Sequence, residues 1–243
     1  MDNKTHVSYE LRHLYKKFGN NKFYTIKDVN LTAEGGDIYG FLGPNGAGKS
    51  TIIKSTVGLF TVDKGDILIC GINAVNNPTS VKQIIGYVPD EYVLYEKLTG
   101  YEYLYSISKI YKIDKKTTKE RIEYYAKYFS LTGAINNPIK TYSHGMKQKI
   151  TIIATLIFEP KVWILDEPLT GLDPISVIQV KNMMRDYAKK GNIVFFSSHL
   201  IDIVKKLCTK VSVIKNGEIK KTIDLKNYNK SLSSEYLRIV NEE

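Results

Sequence analysis

The fold of this chain is decided by one stretch, Gly43-Pro44-Asn45-Gly46-Ala47-Gly48-Lys49-Ser50-Thr51. The stretch fits the pattern G-x-x-x-x-G-K-[ST], which is typical of a loop that holds phosphate groups. Its glycines allow consecutive backbone N–H groups to turn inward around an anion, where side chains would collide. The apolar residues 38–42 before it predict a buried strand, and residues 52–58 after it predict a helix that ends at Gly58. This order places the positive end of a helix at the bound phosphate.

The last residues of the stretch indicate what the loop binds. Lys49 is predicted to reach the β- and γ-phosphates, and the hydroxyl of Ser50 is predicted to coordinate Mg²⁺. We expect all nine residues from Gly43 to Thr51 to line the bound ligand. The sequence therefore predicts a site for a nucleoside triphosphate together with Mg²⁺.

The composition is that of an ordinary globular domain, with 43% hydrophobic and 25% charged residues in a chain of 243. No run of about eighteen apolar residues occurs, since the longest candidate, residues 150–158, is followed by Glu159 and Pro160. The N-terminus lacks the apolar segment of a signal peptide. Cys70 and Cys208 are too few for a disulfide framework or a zinc site. Together these features predict a cytosolic location.

The net charge is +10, from 35 Lys and Arg residues against 25 Asp and Glu residues. The basic residues are spread along the chain and form no long basic run. Two interpretations stay open, a solvated lysine-rich surface or a surface near an anionic membrane leaflet. We expect no nucleic-acid partner.

The strand and helix patterns predict a single domain over residues 1–243. Residues 8–91 and 143–222 are predicted to form a core around the phosphate-binding loop, with antiparallel strands at its N-terminal end. Residues 92–142 are predicted to be an inserted helical subdomain, and residues 223–243 a short charged tail without a motif. The predicted fold class is therefore α/β, a P-loop NTPase core with an N-terminal antiparallel β subdomain and an inserted α-helical subdomain.

The helical segment begins with a signal of its own. Thr99 and Glu102 have the spacing of a capping box, which predicts a helix through about residue 111. Apolar side chains at helical spacing predict a second helix over residues 115–129. Many of the chain's tyrosines fall in the segment, among them Tyr92, Tyr95, Tyr101, Tyr103, Tyr105, Tyr111, Tyr124, Tyr125 and Tyr128. These rings either fill the core and the surface or form a docking face.

Two carboxylates follow the apolar residues 162–165, which predict a further strand. A strand beside that of the phosphate-binding loop would place Asp166 near the Mg²⁺ site. The adjacent Glu167 is predicted to orient or deprotonate the water that attacks the γ-phosphate. The later patterns predict a helix over residues 174–190, a strand over 192–196, a helix over 200–208 and a hairpin around Asn216-Gly217.

Several motifs occur in an order that resembles one family, the ATP-binding subunits of ABC transporters. Residues 142–149, Tyr-Ser-His-Gly-Met-Lys-Gln-Lys, resemble the family's signature, usually LSGGQ followed by basic residues. The other matches are Phe18-Gly19 at the place of an adenine-stacking aromatic, Gly86 to Pro89 at the lead-in to the Q-loop, Leu172-Asp173 at the D-loop and Ser198-His199 at the switch histidine. The resemblance covers residues 8–222.

The resemblance implies an ATPase in which each motif has a role. Phe18 would stack on adenine. Asp90, at the place of the Q-loop glutamine, would approach Mg²⁺ together with Asp166. His199 would hydrogen-bond the γ-phosphate and hold the attacking water near Glu167.

The signature implies a second subunit. Ser143 and Gly145 begin a helix, and in the family this helix addresses the phosphate of the nucleotide on the opposite subunit. Asp173 in the D-loop is implied as a further nucleotide contact. We therefore expect two ATPase subunits, identical or sister chains, to enclose two MgATP molecules.

Three of the motifs depart from the family's pattern. Asp90-Glu91 replaces the Q-loop glutamine with a shorter, charged side chain. His144 stands in place of the first glycine of the signature, and Met146 in place of its last residue. Phe18 stands where tyrosine is usual, with Tyr15 as a nearby alternative for stacking on adenine.

The string Tyr-Ser-x-Gly-Met-Lys-Gln and the pattern Leu98-Thr99-Gly100-x-Glu102 resemble the bacterial exporter branch of the family. This implies a chain that powers a separate membrane-spanning permease at the cytoplasmic face of a bacterial membrane. One alternative is an ABC-type ATPase that acts on a ribosomal or DNA-repair assembly, although such factors generally carry two ATPase domains or a long coiled coil. A second alternative is an unrelated P-loop enzyme, such as a small-molecule kinase, which needs no signature.

Overall fold

The computed structural model of the chain describes residues 6–19, 23–91 and 93–241. Tyr92, with which the predicted helical segment begins, lies outside the described residues. The same is true of residues 242 and 243 in the predicted tail, and of residues 1–5 and 20–22.

The described residues form ten strands, which are β1 Ser8–Lys16, β2 Ile26–Glu34, β3 Ile38–Leu42, β4 Lys64–Ile69, β5 Ile72–Asn73, β6 Ile85–Val88, β7 Val162–Leu165, β8 Ile193–Ser198, β9 Lys210–Lys215 and β10 Glu218–Asp224. They also form eight α-helices, which are α1 Lys49–Thr56, α2 Pro78–Lys82, α3 Gly100–Ile110, α4 Lys115–Tyr128, α5 His144–Leu156, α6 Pro174–Lys189, α7 Ile201–Leu207 and α8 Leu232–Asn241. One 3₁₀ turn, Ile139–Thr141, precedes α5.

The strands make two sheets. The first has the order β2-β1-β4-β5, and its pairs are antiparallel. The second has the order β10-β9-β3-β8-β7-β6, in which the described pairs are parallel apart from the β9–β10 hairpin. Parallel neighbours need crossover connections, and helices supply them here. The predicted α/β class with an antiparallel N-terminal sheet is confirmed.

Strand β8 shows how the core forms on both faces of the second sheet. Successive side chains of a strand point to opposite faces, and Phe195 and Phe196 belong to different apolar clusters. The ring of Phe195 contacts those of Tyr9, Tyr39 and Phe41, with centroids 5.2, 5.6 and 5.6 Å away. Because Tyr9 belongs to the first sheet, this cluster joins the two sheets. Phe196 belongs to the cluster that contains the buried residues of α3 to α6.

The helix boundaries follow the predicted signals closely. Oγ1 of Thr99 accepts a hydrogen bond from the Glu102 N–H at 3.1 Å, and Oε2 of Glu102 accepts one from the Thr99 N–H at 2.8 Å. The predicted capping box therefore begins α3. Helix α1 begins at Lys49 rather than at Ile52, because the end of the phosphate-binding loop already forms its first turn.

The structure differs most from the prediction at the C-terminal end. Where a charged tail without a motif was predicted, α8 follows β10. Leu232 and Ile239 are buried and join the apolar cluster of the helices. They are seven positions apart and so lie on one face of α8. The charge of the segment obscured this spacing in the sequence. Three short elements, β5, α2 and β6, were also not predicted.

The turn between β9 and β10 is expected to tolerate no side chain at Gly217. Gly217 has φ of +77°, and its N–H donates to the carbonyl oxygen of Ala47 at 2.9 Å. A Cβ at this position would overlap the carbonyl oxygen of Thr25. We expect Gly217→Ala to lower the free energy of unfolding by about 2 to 5 kcal/mol, from the left-handed backbone and the overlap together.

Urea denaturation of the purified chain measures this loss, and Gly71→Ala is the matched control. Gly71 has the same φ of +77°, but a Cβ there would meet nothing within 4 Å. The control should therefore lose only about 1 to 2 kcal/mol. Equal losses in the two variants would show that the overlap at Gly217 is relieved without cost.

Candidate nucleotide-binding site

The predicted phosphate-binding residues form the connection from β3 to α1. Residues 43–48 make the loop, and Lys49, Ser50 and Thr51 make the first turn of the helix. Gly48, with φ of +105°, is the N-cap residue of α1 and carries no side chain. The N–H groups of the first turn are therefore available to an anion, and the helix dipole favours one there.

The ammonium group of Lys49 bonds to the backbone of this loop. Nζ donates to the carbonyl oxygens of Gly43 at 2.7 Å and of Pro44 at 3.1 Å, and it lies 3.9 Å from Oε1 of Glu167. Burial lowers the pKa of Lys49, while the negative charges of Glu167 and Asp166 act in the opposite direction. The positive charge of Lys49 at this loop is thus balanced by the carboxylates of Asp166 and Glu167, which follow β7.

Asp166 follows β7 directly and is 1% exposed. Its Oδ1 accepts a hydrogen bond from Oγ of Ser197 at 2.6 Å, and that Oγ accepts one from the N–H of Glu167 at 2.9 Å. Oδ2 of Asp166 is buried and has no hydrogen-bond partner among the described residues. Ser197 therefore holds the carboxylate of Asp166 and the backbone of Glu167. It was not predicted, although the change from apolar to polar residues at the end of β8 was a signal for it.

Glu167 and His199 meet at the ends of two neighbouring parallel strands. Oε2 of Glu167 lies 3.0 Å from Nδ1 of His199. The backbone of Glu167 has φ of +46°, a conformation that non-glycine residues rarely adopt and that tends to occur at functional sites. The Glu167 side chain is 16% exposed and that of His199 46%. The two residues predicted as catalytic are thus in contact with each other.

Asp90 lies just beyond β6, the strand next to β7. Burial, followed by the negative charges of Asp166 and Glu167, raises the pKa of Asp90 above its ordinary value. The carboxylate at the place of the Q-loop glutamine therefore lies in the field of the two other predicted acidic residues. Bringing a cation close would remove this repulsion.

Phe18 forms an aromatic surface together with a residue that was not predicted. Its ring packs edge-on against Phe60, with centroids 5.1 Å apart, and Nζ of Lys16 lies 5.1 Å from its centroid. Phe18 is 37% exposed, so part of its ring remains accessible. The alternative, Tyr15, packs edge-on against Tyr24 at 5.1 Å.

The signature and D-loop residues lie at the N-termini of two helices. Oγ of Ser143 accepts a hydrogen bond from the Met146 N–H at 3.3 Å and caps α5, in which Gly145 is the second residue. Oδ1 of Asp173 accepts one from the Ser176 N–H at 2.9 Å and caps α6. Hydrogen bonds from Ser176 lower the pKa of Asp173. The described hydrogen bonds of Ser143 and Asp173 stay within their own helices.

Within residues 6–19, 23–91 and 93–241, no helix combines the length and the apolar character that crossing a bilayer requires.

Comparisons with known proteins agree with this geometry. A family model described as ABC transporter matches residues 26–170. The uncharacterized ABC transporter ATP-binding protein YhcH of Bacillus subtilis is 36% identical over 203 residues, which are 83% of this chain and 65% of that protein. The NatA protein of the same organism is 35% identical over 195 residues, 80% of this chain and 79% of NatA. Its linearmycin resistance ATP-binding protein LnrL is 36% identical over 194 residues, 80% of this chain and 62% of LnrL. The chain thus spans about two thirds of YhcH and LnrL.

Solved structures show the same fold. A structure of the ATP-binding subunit of an ABC transporter has a TM-score of 0.90 at 28% identity and covers 96% of this chain and 99% of that one. The dimeric post-hydrolysis cassette MJ0796, bound to ADP and Pi, has a TM-score of 0.82 at 22% identity and covers 90% and 100%. The motifs, the site and the family match agree, and the chain belongs to the ABC transporter family as an ATP-binding ATPase domain.

Proposed function

We propose that this chain hydrolyses ATP to power a separate membrane-spanning permease that works as an exporter. The observation that carries the ATPase part is the meeting of Lys49, Glu167 and His199 at the carboxyl ends of parallel strands. Ligands of such sheets bind outside the carboxyl ends of the strands. A cation for the phosphates and a carboxylate hydrogen-bonded to a histidine suit phosphoryl transfer to water.

Each of these residues has a separate task in the proposed reaction. The N–H groups of α1 and Nζ of Lys49 bind the β- and γ-phosphates. Glu167 accepts the proton of the attacking water as its oxygen bonds to the γ-phosphorus. His199 holds the Glu167 carboxylate through Nδ1 and directs its other ring nitrogen toward the γ-phosphate. Phe18 stacks on the adenine ring beside Phe60.

The residues also fit the Mg²⁺ that such a reaction uses. Oδ2 of Asp166 is a buried oxygen without a partner among the described residues, which is costly unless a ligand satisfies it. The described residues contain no group of three or more His, Cys, Asp or Glu that could hold a metal. Mg²⁺ at nucleotide sites is typically held by one or two carboxylates, substrate phosphates and water. We propose that Ser50, Asp166 and Asp90 are the protein ligands of this Mg²⁺. When bound, Mg²⁺ would neutralise the negative charge of the phosphates.

The proposed site is completed by a second subunit. Ser143 and Gly145 begin α5, and Asp173 begins α6, so each offers a helix N-terminus to a phosphate. The cassette MJ0796 is dimeric, which supports the same arrangement for a chain with this fold. In this proposal two chains, identical or sister, enclose two ATP molecules, and each signature faces the ATP on the partner's loop.

A groove between the core and the helical segment suits the permease. Its volume is about 370 Å³, and apolar residues dominate its lining. The end of α1, α2, α3 and α5 contribute to it, so it lies where residues 92–142, proposed as a helical subdomain of one domain over residues 1–243, meet the core. Leu59 and Val93 on its rim are 61% and 97% exposed. Exposed apolar side chains of this kind commonly mark a binding surface.

The direction of transport is proposed from sequence. The Tyr-Ser-x-Gly-Met-Lys-Gln string resembles the exporter branch, and the relative LnrL is named for linearmycin resistance. The chain then works at the cytoplasmic face of a bacterial membrane, where its net charge of +10 suits an anionic leaflet.

Co-purification tests whether the chain binds a membrane-spanning permease. The chain is tagged in its own cell, membranes are solubilised gently, and the bound proteins are identified. We expect one polytopic membrane protein in near-stoichiometric amount. The double substitution Leu59→Glu with Val93→Glu should remove it, because two charges at the rim would have to be desolvated on docking.

The matched control is Leu237→Glu on α8, where the side chain is 54% exposed and lies outside the groove lining. It should retain the membrane protein. Capture of ribosomal, DNA-repair or other soluble assemblies, with no membrane protein above background, would contradict the transporter proposal. Retention of the permease by the double variant would contradict the proposal that the permease docks in this groove.

A further inference from the structure

Two lysines are buried among the residues that the structure describes, and one of them lies outside the phosphate-binding loop. Lys49 is 6% exposed, and Lys16, at the end of β1, is 8% exposed. The described polar contacts of the Lys16 ammonium group are long, at 3.5 Å to Oγ1 of Thr61 and 3.9 Å to Oδ1 of Asp63. A buried charge destabilises a protein unless it is closely paired. The position of Lys16 therefore requires a reason other than stability.

The group that the Lys16 ammonium covers is the ring of Phe18. Nζ lies 5.1 Å from the ring centroid, within the distance at which an aromatic ring attracts a cation. Three other lysines of the described chain lie 5.4–5.9 Å from a ring, but none of them is buried: Lys54, Lys64 and Lys109. Because this attraction grows when the cation is desolvated, it should be strongest between Lys16 and Phe18.

The burial of Lys16 also indicates which part of the Phe18 ring is accessible. The side of the ring that contacts a buried ammonium group is turned toward the protein. Phe18 is nevertheless 37% exposed. The accessible part of the ring therefore lies away from Lys16, and an accessible ring surface is what a nucleotide base needs for stacking.

Hydrogen bonds and ring packing connect the Phe18 segment to α1, the helix whose N-terminus is proposed to bind phosphate. The N–H of Lys17 donates to Oδ2 of Asp63 at 2.6 Å, and the rings of Phe18 and Phe60 lie 5.1 Å apart. The N–H of Phe60 in turn donates to the carbonyl oxygen of Lys54 in α1 at 3.1 Å. The ring is thus held at a fixed place relative to the phosphate site. Such preorganisation suits a ligand whose base and phosphates are covalently joined.

We propose that Lys16 is a positioning residue for the nucleotide base. Its ammonium group holds the Phe18 ring from the protein side, so that the exposed part of the ring is placed to stack on adenine. The inference rests on the adenine contact that is part of the proposed function. Lys16 acts through the ring and touches neither the base nor the phosphates. It therefore contributes to the affinity for a nucleotide but not to the affinity for a phosphate chain without a base.

Lys16→Met tests the proposal with two ligands, since methionine is an unbranched side chain of similar length without the charge. Calorimetry in EDTA, where no hydrolysis occurs, measures the affinity of the full chain for ATP and for inorganic tripolyphosphate. We expect ATP to bind about 5-fold more weakly and tripolyphosphate to bind as it does to wild type. Lys17→Met is the matched control, because Lys17 is exposed and its hydrogen bond to Asp63 comes from the backbone. It should leave both affinities unchanged.

A double-mutant cycle shows whether Lys16 acts through the ring. Phe18→Ala alone should weaken ATP binding by about 5- to 150-fold, the range for the loss of one stack between a base and an aromatic ring. Lys16→Met added to Phe18→Ala should weaken it no further.

Three results would overturn the inference while the adenine contact of Phe18 stands. They are wild-type ATP affinity in Lys16→Met, a loss of tripolyphosphate affinity in Lys16→Met equal to the loss for ATP, and a further 5-fold loss for ATP in the double variant. Wild-type ATP affinity in Phe18→Ala would instead overturn the adenine contact, and the role of Lys16 with it.

Discussion

Glu167→Gln should lower the rate of ATP hydrolysis by about 100- to 10,000-fold while ATP still binds. The amide keeps the shape of the carboxylate but cannot accept the proton of the attacking water. The hydrogen bond from the Glu167 N–H to Oγ of Ser197 is a backbone contact and remains. The variant is therefore expected to hold its ATP and to accumulate as the closed dimer.

Phosphate release in the steady state measures the rate, and size-exclusion chromatography with and without ATP measures the dimer. Glu120→Gln, on the exposed side of α4, is the control and should behave as wild type in both assays. Hydrolysis by Glu167→Gln at the wild-type rate would show that another group takes the proton. Loss of hydrolysis without a dimer in ATP would contradict the proposed pairing of subunits.

Lys49→Ala should weaken ATP binding by about 30- to 150-fold, the equivalent of about 2 to 3 kcal/mol for a charged hydrogen bond. Two effects act in the same direction. The ammonium group proposed to bind the phosphates is removed, and the negative charges of Glu167 and Asp166, which act on Lys49, lose a cation that lies 3.9 Å from Oε1 of Glu167. A triphosphate then meets uncompensated negative charge.

Calorimetry with ATP in EDTA and in Mg²⁺ measures this loss. Lys189→Ala is the control, because Lys189 ends α6 and pairs with Asp186 at the surface. It should leave the affinity unchanged. Wild-type affinity in Lys49→Ala would mean that the N–H groups of α1 alone bind the phosphates, and the proposed role of Lys49 would be wrong.

The local structure of the chain was predictable where a short segment carries its own signal. The capping box at Thr99 and Glu102, the Asn216-Gly217 turn and the apolar run of β3 were each predicted and found. Helix α8 was missed because the two residues that it buries, Leu232 and Ile239, follow a polar stretch and lie among charged side chains such as Glu235 and Arg238. The cluster that receives them is built by distant parts of the chain.

For the candidate site, too, the sequence supplied the residues but not the contacts between distant ones. The residue types were all visible in sequence, and their proposed roles stay predictions. The contact of Glu167 with His199 joins residues 32 positions apart, and Ser197 reaches both Asp166 and Glu167 from another strand. The pairing of Phe18 with Phe60 was likewise not visible. Such contacts depend on the strand order, which local patterns do not encode.

By itself the amino-acid sequence determined that this chain carries a phosphate-binding loop, an acidic pair after an apolar strand and the motifs of the ABC family. These are local patterns, because backbone geometry and side-chain chemistry need only neighbouring residues. The tertiary structure alone decided which groups meet, which polar atoms are satisfied and which are left for a ligand. Parallel strands from distant parts of the chain end at one edge of the sheet, and burial there raises the pKa of Asp90 and leaves Asp166 with an unpaired oxygen.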